Sequence, residues 1–139
     1  MIELVKLIMG LKGSGKTKTL VELVKKAVEE EHGDVVCIEK DKNLTFDIPY
    51  TARLIHASEY SINSNVLLRG FISGLHAGNY DITHVFIDNF YKMLDDSSDD
   101  AVADFLDWLD KFSKREKVRF TISATAEPDT VDERIRKYF

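Results

Sequence analysis

A chain of 139 residues is long enough for one sizeable core, and we expect a single domain over residues 1–139. No apolar run approaches the roughly 20 residues of a membrane helix, and the net charge of −5 argues against nucleic acid as the main partner. A single cysteine, Cys37, excludes an internal disulfide. Together with the start of an apolar run at Leu4, where a secretory leader would stand, it predicts a cytoplasmic protein.

A strand, a glycine-rich loop and a helix are predicted at the start of the chain. Residues 4–9 are an apolar run of strand length. Beyond the loop, apolar residues recur with the spacing of an amphipathic helix at Leu20, Leu23, Val24, Ala27 and Val28. We expect this helix to end near Gly33, because glycine readily takes the left-handed conformation that caps a helix.

The loop between them, residues 10–17, reads G-x-x-x-x-G-K-T, the phosphate-binding pattern called Walker A. Its glycines let successive backbone N–H groups turn onto a phosphate, and the following helix adds its positive dipole end. Lys16 can reach the β- and γ-phosphates, and the Thr17 hydroxyl can bind Mg²⁺. The predicted nucleotide-binding residues of this segment are Gly10, Leu11, Lys12, Gly13, Ser14, Gly15, Lys16, Thr17 and Lys18.

The rest of the chain alternates between strand and helix patterns. Strands are predicted at 34–40, at 83–89, at 118–123 and, near a sheet edge, at 52–57; helices are predicted at 64–78, after an acidic stretch at 95–100, and after the capping-box pattern at 130–133. This alternation predicts an α/β fold, a three-layer α/β/α sandwich around a mostly parallel sheet of about five strands.

Polar residues close three of these strands, at Glu39, at Asp88 and at Ser123 to Thr125. In a parallel sheet they share one rim with residues 10–17, and ligands bind at that rim. Asp88 after the apolar run 85–87 has the form of a Walker B carboxylate. It can hold Mg²⁺ opposite Thr17. The rim therefore predicts a site for a nucleotide and magnesium.

These motifs resemble the P-loop NTPase superfamily over essentially the whole chain. Two strand-like runs between the two motifs and a polar-ended strand after them are similar to the branch of RecA-like ATPases and thymidine kinases. The chain is also similar to small stand-alone bacterial P-loop proteins labelled as twitching-motility ATPases. In that branch the polar end of the last strand senses the γ-phosphate, and the resemblance assigns this role to Ser123 or Thr125.

One departure from the family bears on catalysis. The acidic residue that follows the Walker B aspartate in the family is here Asn89, which can orient a water but cannot accept its proton. The zinc lobe of thymidine kinases has no counterpart, since one cysteine cannot supply it. By position, the resemblance offers Glu39 as an alternative base, so the predicted catalytic residues are Lys16, Glu39 and Asn89.

We therefore expect an ATP-binding protein with slow Mg²⁺-dependent hydrolysis, acting as a nucleotide-dependent regulatory or accessory module. A small-molecule kinase, with its acceptor pocket in residues 41–64, is the alternative. A stimulating arginine is expected from a protein partner or a neighbouring subunit, and Arg53, Arg69 and Arg119 are equal candidates. The sequence does not decide between ATP and GTP.

Overall fold

The protein, described here from a computed structural model over residues 3–139, is built on a sheet of five strands. All described strand pairs are parallel, and the strands lie in the order β1-β5-β4-β2-β3. This confirms the α/β prediction, with β3 at an edge as expected. The strands are β1 (Val5–Gly10), β2 (Asp34–Glu39), β3 (Arg53–His56), β4 (Ile82–Ile87) and β5 (Arg119–Thr125).

Helices cover both faces of the sheet. The core beneath α1 is separate from the larger core on the opposite face, where α2, α3 and α4 pack. Among residues 3–139, no helix is long and apolar enough to cross a bilayer. The helices are α1 (Lys16–Glu30), α2 (Asn65–Gly78), α3 (Asp99–Glu116) and α4 (Glu133–Arg136).

Strand β2 shows why its sequence is a continuous apolar run. Val36 and Ile38 point into the larger core, while Val35 and Cys37 point into the core beneath α1. Successive side chains of a strand alternate between faces, so a strand covered on both sides needs apolar residues at every position. The middle of the sheet is thus largely apolar on both faces, and the polar residues considered below follow the carboxyl ends of its strands.

The predicted cap of α1 at Gly33 is wrong. The helix ends at Glu30, and Glu31 follows in an extended conformation, with its N–H bonded to the Ala27 carbonyl at 2.9 Å. Gly33 instead lies against β4, where a Cβ would collide with Thr83 and with the Asp81 carbonyl. The glycine is needed for a close approach of two backbone segments, which helix periodicity does not reveal.

Replacing Gly33 by alanine is therefore expected to destabilise the protein by about 1–3 kcal/mol, because the added methyl meets backbone that cannot move aside freely. Urea unfolding of the two proteins measures this difference. Gly70→Ala is the matched control, since a Cβ there meets no atom within 4 Å. Equal loss in both variants would contradict the steric explanation.

The starts of α2 and α3 follow their sequence signals closely. Ser64 caps α2 by accepting from the Leu67 N–H at 3.0 Å, and Ser98 caps α3 by accepting from Ala101 at 3.3 Å. The capping-box prediction at 130–133 is wrong in its residue: Asp132, not Thr130, caps the last helix, and Thr130 belongs to the turn before it. These caps satisfy N–H groups that a helix leaves without partners at its start.

The C-terminal segment closes the outer side of β1. The Leu7 N–H donates to the Tyr138 carbonyl at 2.7 Å, and Ile135 and Tyr138 are buried in the larger core. On its inner side β1 pairs with β5, from Val5 opposite Phe120 to Gly10 opposite Thr125. The strand that leads into the glycine-rich loop is therefore held by the last strand and the last helix.

Candidate nucleotide-binding site

The glycine-rich loop joins β1 to α1 through two residues of left-handed conformation. Gly13 and Gly15 have φ of 86° and 87°, which L-residues with a side chain rarely adopt. Gly15 is the N-cap of α1, and no side chain of the described residues caps it. The first N–H groups of α1 are thus available to an anion, as the motif requires.

Lys16 lies folded over this loop. Its side chain is largely buried, and its Nζ donates to the Leu11 carbonyl at 3.4 Å. An ammonium group held at the start of α1 can exchange this long hydrogen bond for shorter ones to phosphate oxygens. Lys12 and Lys18 are exposed beside it, so the loop presents further positive charge to the same anion.

Asp88 follows β4 and brings the two motifs together. Its Oδ1 accepts from the Thr17 hydroxyl at 3.2 Å and from the Ser123 hydroxyl at 2.7 Å. The carboxylate is only 7% exposed, and the backbone N–H of Asp88 is fixed by the Ile38 carbonyl at 2.9 Å. Thr17 and Asp88 were predicted from separate motifs, and the fold brings their side-chain oxygens within hydrogen-bond distance.

Asn89 has a strained backbone and a hydrogen-bonded side chain. Its φ is 51°, in the left-handed region that asparagine tolerates better than most residues. Its N–H donates to the Ser123 hydroxyl at 2.9 Å, and its Oδ1 accepts from the Thr125 hydroxyl at the same distance. The amide nitrogen reaches Asp88 Oδ2 at 3.4 Å. The side-chain amide is therefore held beside the carboxylate rather than free to turn.

Ser123 and Thr125, which the resemblance offered as contacts to the γ-phosphate, differ in position. Ser123 is wholly buried and links Asp88 to the Asn89 backbone. Thr125 is exposed at the end of β5. Ser123 therefore holds the Asp88 carboxylate from inside the protein, whereas Thr125 lies exposed at the rim.

Glu39 lies at the same rim, and its carboxylate is bound to the loop that follows β2. Oε1 accepts from the Asn43 N–H at 2.9 Å, and both oxygens accept from the Leu44 N–H, at 3.2 and 3.1 Å. His56 Nδ1 lies 3.4 Å from Oε2. With 2% exposure, this carboxylate organises the loop from inside the protein.

Lys92 was not predicted from the sequence, yet it joins this group. A small cavity lies between Glu39, Asp88, Asn89 and Lys92. The lysine belongs to a single turn of 3₁₀ helix, Phe90–Met93, that begins directly after Asn89. The sequence shows a lysine four positions after the Walker B aspartate. Its return to the rim depends on the tight 3₁₀ turn, which the sequence pattern did not predict.

None of the three arginine candidates lies at this rim within the described chain. Arg53 and Arg119 are at the amino ends of β3 and β5, on the opposite edge of the sheet. Arg69 is bonded to Asp104 at 2.7 Å and lies over the Trp108 ring. None of these three arginines is therefore placed to act at the nucleotide site of its own chain.

Cys37 lies in the middle of β2, wholly buried. Burial, followed by the negative charges of Asp88 and Glu39, raises the pKa of its thiol far above the ordinary value. The thiolate is the reactive form, so this cysteine has the properties of an inert core residue.

Comparison with known families identifies the chain. The model of the ATPase family associated with various cellular activities (AAA) matches residues 6–139. No curated protein sequence matches significantly. The matched segment includes the glycine-rich loop, Asp88 and all five strands, except for the first residue of β1. It confirms the P-loop NTPase prediction and implies ATP binding, and AAA domains often oligomerise. The chain belongs to the AAA family of P-loop ATPases.

Proposed function

We propose that this protein is a cytoplasmic, Mg·ATP-dependent regulatory or accessory module whose own hydrolysis is slow. The observation that carries the proposal is the state of the two candidate bases. Asn89 has no group that accepts a proton at neutral pH, and both oxygens of Glu39 accept backbone hydrogen bonds. A site that binds phosphate well but lacks a free base suits a switch better than a rapid hydrolase.

Binding of the phosphates is assigned to the loop and the start of α1. The open N–H groups after Gly15 and the Lys16 ammonium would hold the β- and γ-phosphates. Positive charge placed before the reaction starts stabilises the charge that develops on the transferred phosphoryl group. All the groups assigned to the phosphates would then come from this chain.

The residues around Asp88 fit a magnesium ion. A hydroxyl and a carboxylate are hard oxygen ligands, and magnesium bound to phosphates needs only one or two protein groups. Thr17 and Asp88 would hold it, with Ser123 keeping the carboxylate in place. When bound, the ion would neutralise charge on the phosphate oxygens.

The attacking water would be positioned by the amide of Asn89, oriented by Thr125. Since the Glu39 oxygens are bonded and none of the three candidate arginines lies at the described rim, the chemical step loses two contributions that accelerate related sites. A protein partner or a neighbouring subunit would supply the arginine, so that turnover depends on an encounter. The bound nucleotide would then report on that partner.

The kinase alternative has less support. It needs room for an acceptor in residues 41–64, but Leu44, Ile48 and Ala52 of this segment are buried against α1. A regulatory or accessory role is therefore the function that the site supports best.

Restoring an acidic residue tests the proposal directly. Asn89→Glu is expected to raise ATP turnover of the isolated protein at least about 10-fold, because general-base catalysis contributes roughly 10²–10⁴-fold when well placed. Phosphate release under saturating Mg·ATP measures the rate. Asn89→Gln is the matched control, since it has the same length and the same backbone strain without the base.

Rapid turnover of the unmodified protein would contradict the proposal. Glu39→Gln then shows whether Glu39 is the base, because a loss of turnover without a loss of ATP affinity assigns it that role. If both proteins turn over slowly and Asn89→Glu does not accelerate, the water is not positioned at Asn89.

A further inference from the structure

Lys92 lies outside both sequence motifs, yet it belongs to the wall of the nucleotide rim. The turn that carries it, Phe90–Met93, begins directly after Asn89, whose φ of 51° is left-handed. The Lys92 N–H donates to the Asn89 carbonyl at 3.0 Å, which closes the turn. The lysine is therefore attached to the residue that follows the Walker B aspartate.

The geometry of the turn decides on which side the lysine lies. A 3₁₀ helix has about three residues per turn, so side chains three positions apart share one face. Phe90 and Met93 are such a pair, and both are wholly buried in the larger core. Lys92 lies on the outer side of the turn and is exposed. Two buried side chains thus fix the backbone of a solvent-facing ammonium group at the rim.

The cavity beside the lysine is about 20 Å³ in volume, and its lining includes Glu39, Asp88, Asn89 and Lys92. This is room for one water molecule and too little for a phosphate group. A phosphate at the rim would therefore lie above the cavity, where only side chains that extend outward touch it. Glu39 and Asp88 are 2% and 7% exposed, whereas Lys92 is long and exposed. Of these charged side chains, the lysine is the one free to reach that level.

The ammonium group of Lys92 is not committed to a carboxylate. Lys42 and Lys114 are each held in an ion pair, but Lys92 is in none within residues 3–139. Glu39 already accepts backbone hydrogen bonds, and Asp88 accepts from two hydroxyls. Both carboxylates are satisfied without the lysine, which stays available to an anion that arrives at the rim.

The strand order places Lys92 on the far side of Asp88 from the glycine-rich loop. The loop follows β1, Asp88 follows β4, and Glu39 follows β2, the next strand beyond β4. Phosphates that begin at the loop and share a metal ion with Thr17 and Asp88 would extend in this direction, so the terminal phosphate comes last. There it would approach the negative charges of Glu39 and Asp41, which only a cation offsets.

We propose that Lys92 binds the γ-phosphate of ATP and makes the site distinguish ATP from ADP. The proposal rests on the Mg·ATP site proposed above and adds the group that responds to the third phosphate. A lysine ammonium forms charge-assisted hydrogen bonds to phosphate oxygens from a flexible stem. ADP ends at the β-phosphate, which is assigned to the loop and Lys16, so it leaves Lys92 in solvent. A nucleotide-dependent module needs such a difference between its two states.

This contact strengthens binding and leaves the chemical step slow. It is made in bound ATP before the reaction starts, and an interaction equally strong in the ground state and the transition state lowers KM without raising kcat. Lys92 is therefore a binding residue that replaces neither the general base nor the arginine. Its removal should weaken binding of the triphosphate and change kcat by less than about 3-fold.

Calorimetric titration of the full chain with magnesium and either ADP or the non-hydrolysable triphosphate AMP-PNP tests the proposal. Lys92→Met removes the charge and keeps an apolar stem. It should weaken AMP-PNP binding at least about 10-fold, the scale of one hydrogen bond between charged groups, and ADP binding less than about 2-fold. Lys92→Arg should keep most of the affinity for AMP-PNP, because a guanidinium group also binds phosphate.

Lys40→Met is the matched control. Lys40 lines the same cavity and carries the same charge, but it follows β2, one strand further from the loop than Asp88. We expect losses of less than about 3-fold for both nucleotides, from weaker long-range attraction. A selective loss of AMP-PNP affinity in Lys40→Met and not in Lys92→Met overturns the proposal and assigns the contact to Lys40.

Beryllium fluoride gives a second readout, because it takes the place of the γ-phosphate on bound ADP. Its affinity for the ADP complex should fall at least about 10-fold in Lys92→Met. Equal losses for AMP-PNP and ADP overturn the proposal, since they would show that Lys92 acts through Asp88 or through net charge. So does an unmodified protein that binds ADP as tightly as AMP-PNP. These affinities are measured without hydrolysis, so they decide on Lys92 independently of the turnover rate that tests the function proposed above.

Discussion

Lys16→Ala is expected to weaken Mg·ATP binding by about 10- to 100-fold. Hydrogen bonds to charged groups contribute roughly 1.5–3 kcal/mol, and this ammonium is held at the start of α1 where the phosphates would lie. Isothermal titration calorimetry with Mg·ATP, Mg·ADP and Mg·GTP measures the change for each nucleotide. The loss should be larger for the triphosphates than for ADP, because Lys16 is assigned to the β- and γ-phosphates.

Lys12→Ala is the matched control in the same loop. This substitution also removes one positive charge, but from an exposed side chain, and it leaves the Lys16 ammonium over the loop unchanged. We expect a loss of only a few-fold, from weaker long-range attraction. Equal losses in the two variants would show that net charge binds the nucleotide, and the assignment of Lys16 would be wrong.

Asp88→Asn is expected to lower Mg²⁺-dependent ATP turnover by at least about 100-fold, the usual scale for losing an electrostatic contribution to the transition state. The amide keeps the shape of the side chain and an oxygen that can accept from Ser123, so the fold should be retained. A neutral ligand holds the ion less well than a carboxylate. Turnover measured across a magnesium titration separates weaker binding of the ion, which excess magnesium overcomes, from a slower chemical step, which it does not.

The acidic stretch at 95–100 provides the control for that experiment. Asp99→Asn removes one carboxylate from the start of α3 without touching the rim. Turnover and its magnesium dependence should stay as in the unmodified protein. If Asp99→Asn lowered turnover and Asp88→Asn did not, the metal site would lie at the acidic stretch.

The elements of the fold could be predicted because their signals are local. The apolar spacing of α1 and α3, the continuous apolar run of β2 and the serine caps at 64 and 98 each depend on residues close together in the chain. Thr17 and Asp88 could be paired across 71 residues because a parallel sheet brings the carboxyl ends of its strands to one rim.

What the sequence could not supply depends on contacts between distant segments. Gly33 looked like a helix cap, and only the approach of β4 shows that it makes room for another backbone. The position of Glu39 at the end of β2 predicts that it lies at the rim, but it does not show whether the carboxylate is free to act as a base. The hydrogen bonds to Asn43 and Leu44 depend on the path of the loop after β2. Ser123 belonged to the right strand end, but its burial beneath Asp88 required the structure.

The position of β1 in the sheet has a consequence for how the protein is made. Within the described residues 3–139, strand pairing joins residues 5–10 to residues 120–125, and the outer side of β1 is closed by Tyr138. During synthesis from the amino end, β1 must therefore wait until β5 has been made. Contacts of such large sequence separation form slowly, since a long loop must close before they contribute. The phosphate-binding loop can thus take its final shape only after residues 120–125 have left the ribosome, so chains that end before β5 should not bind ATP.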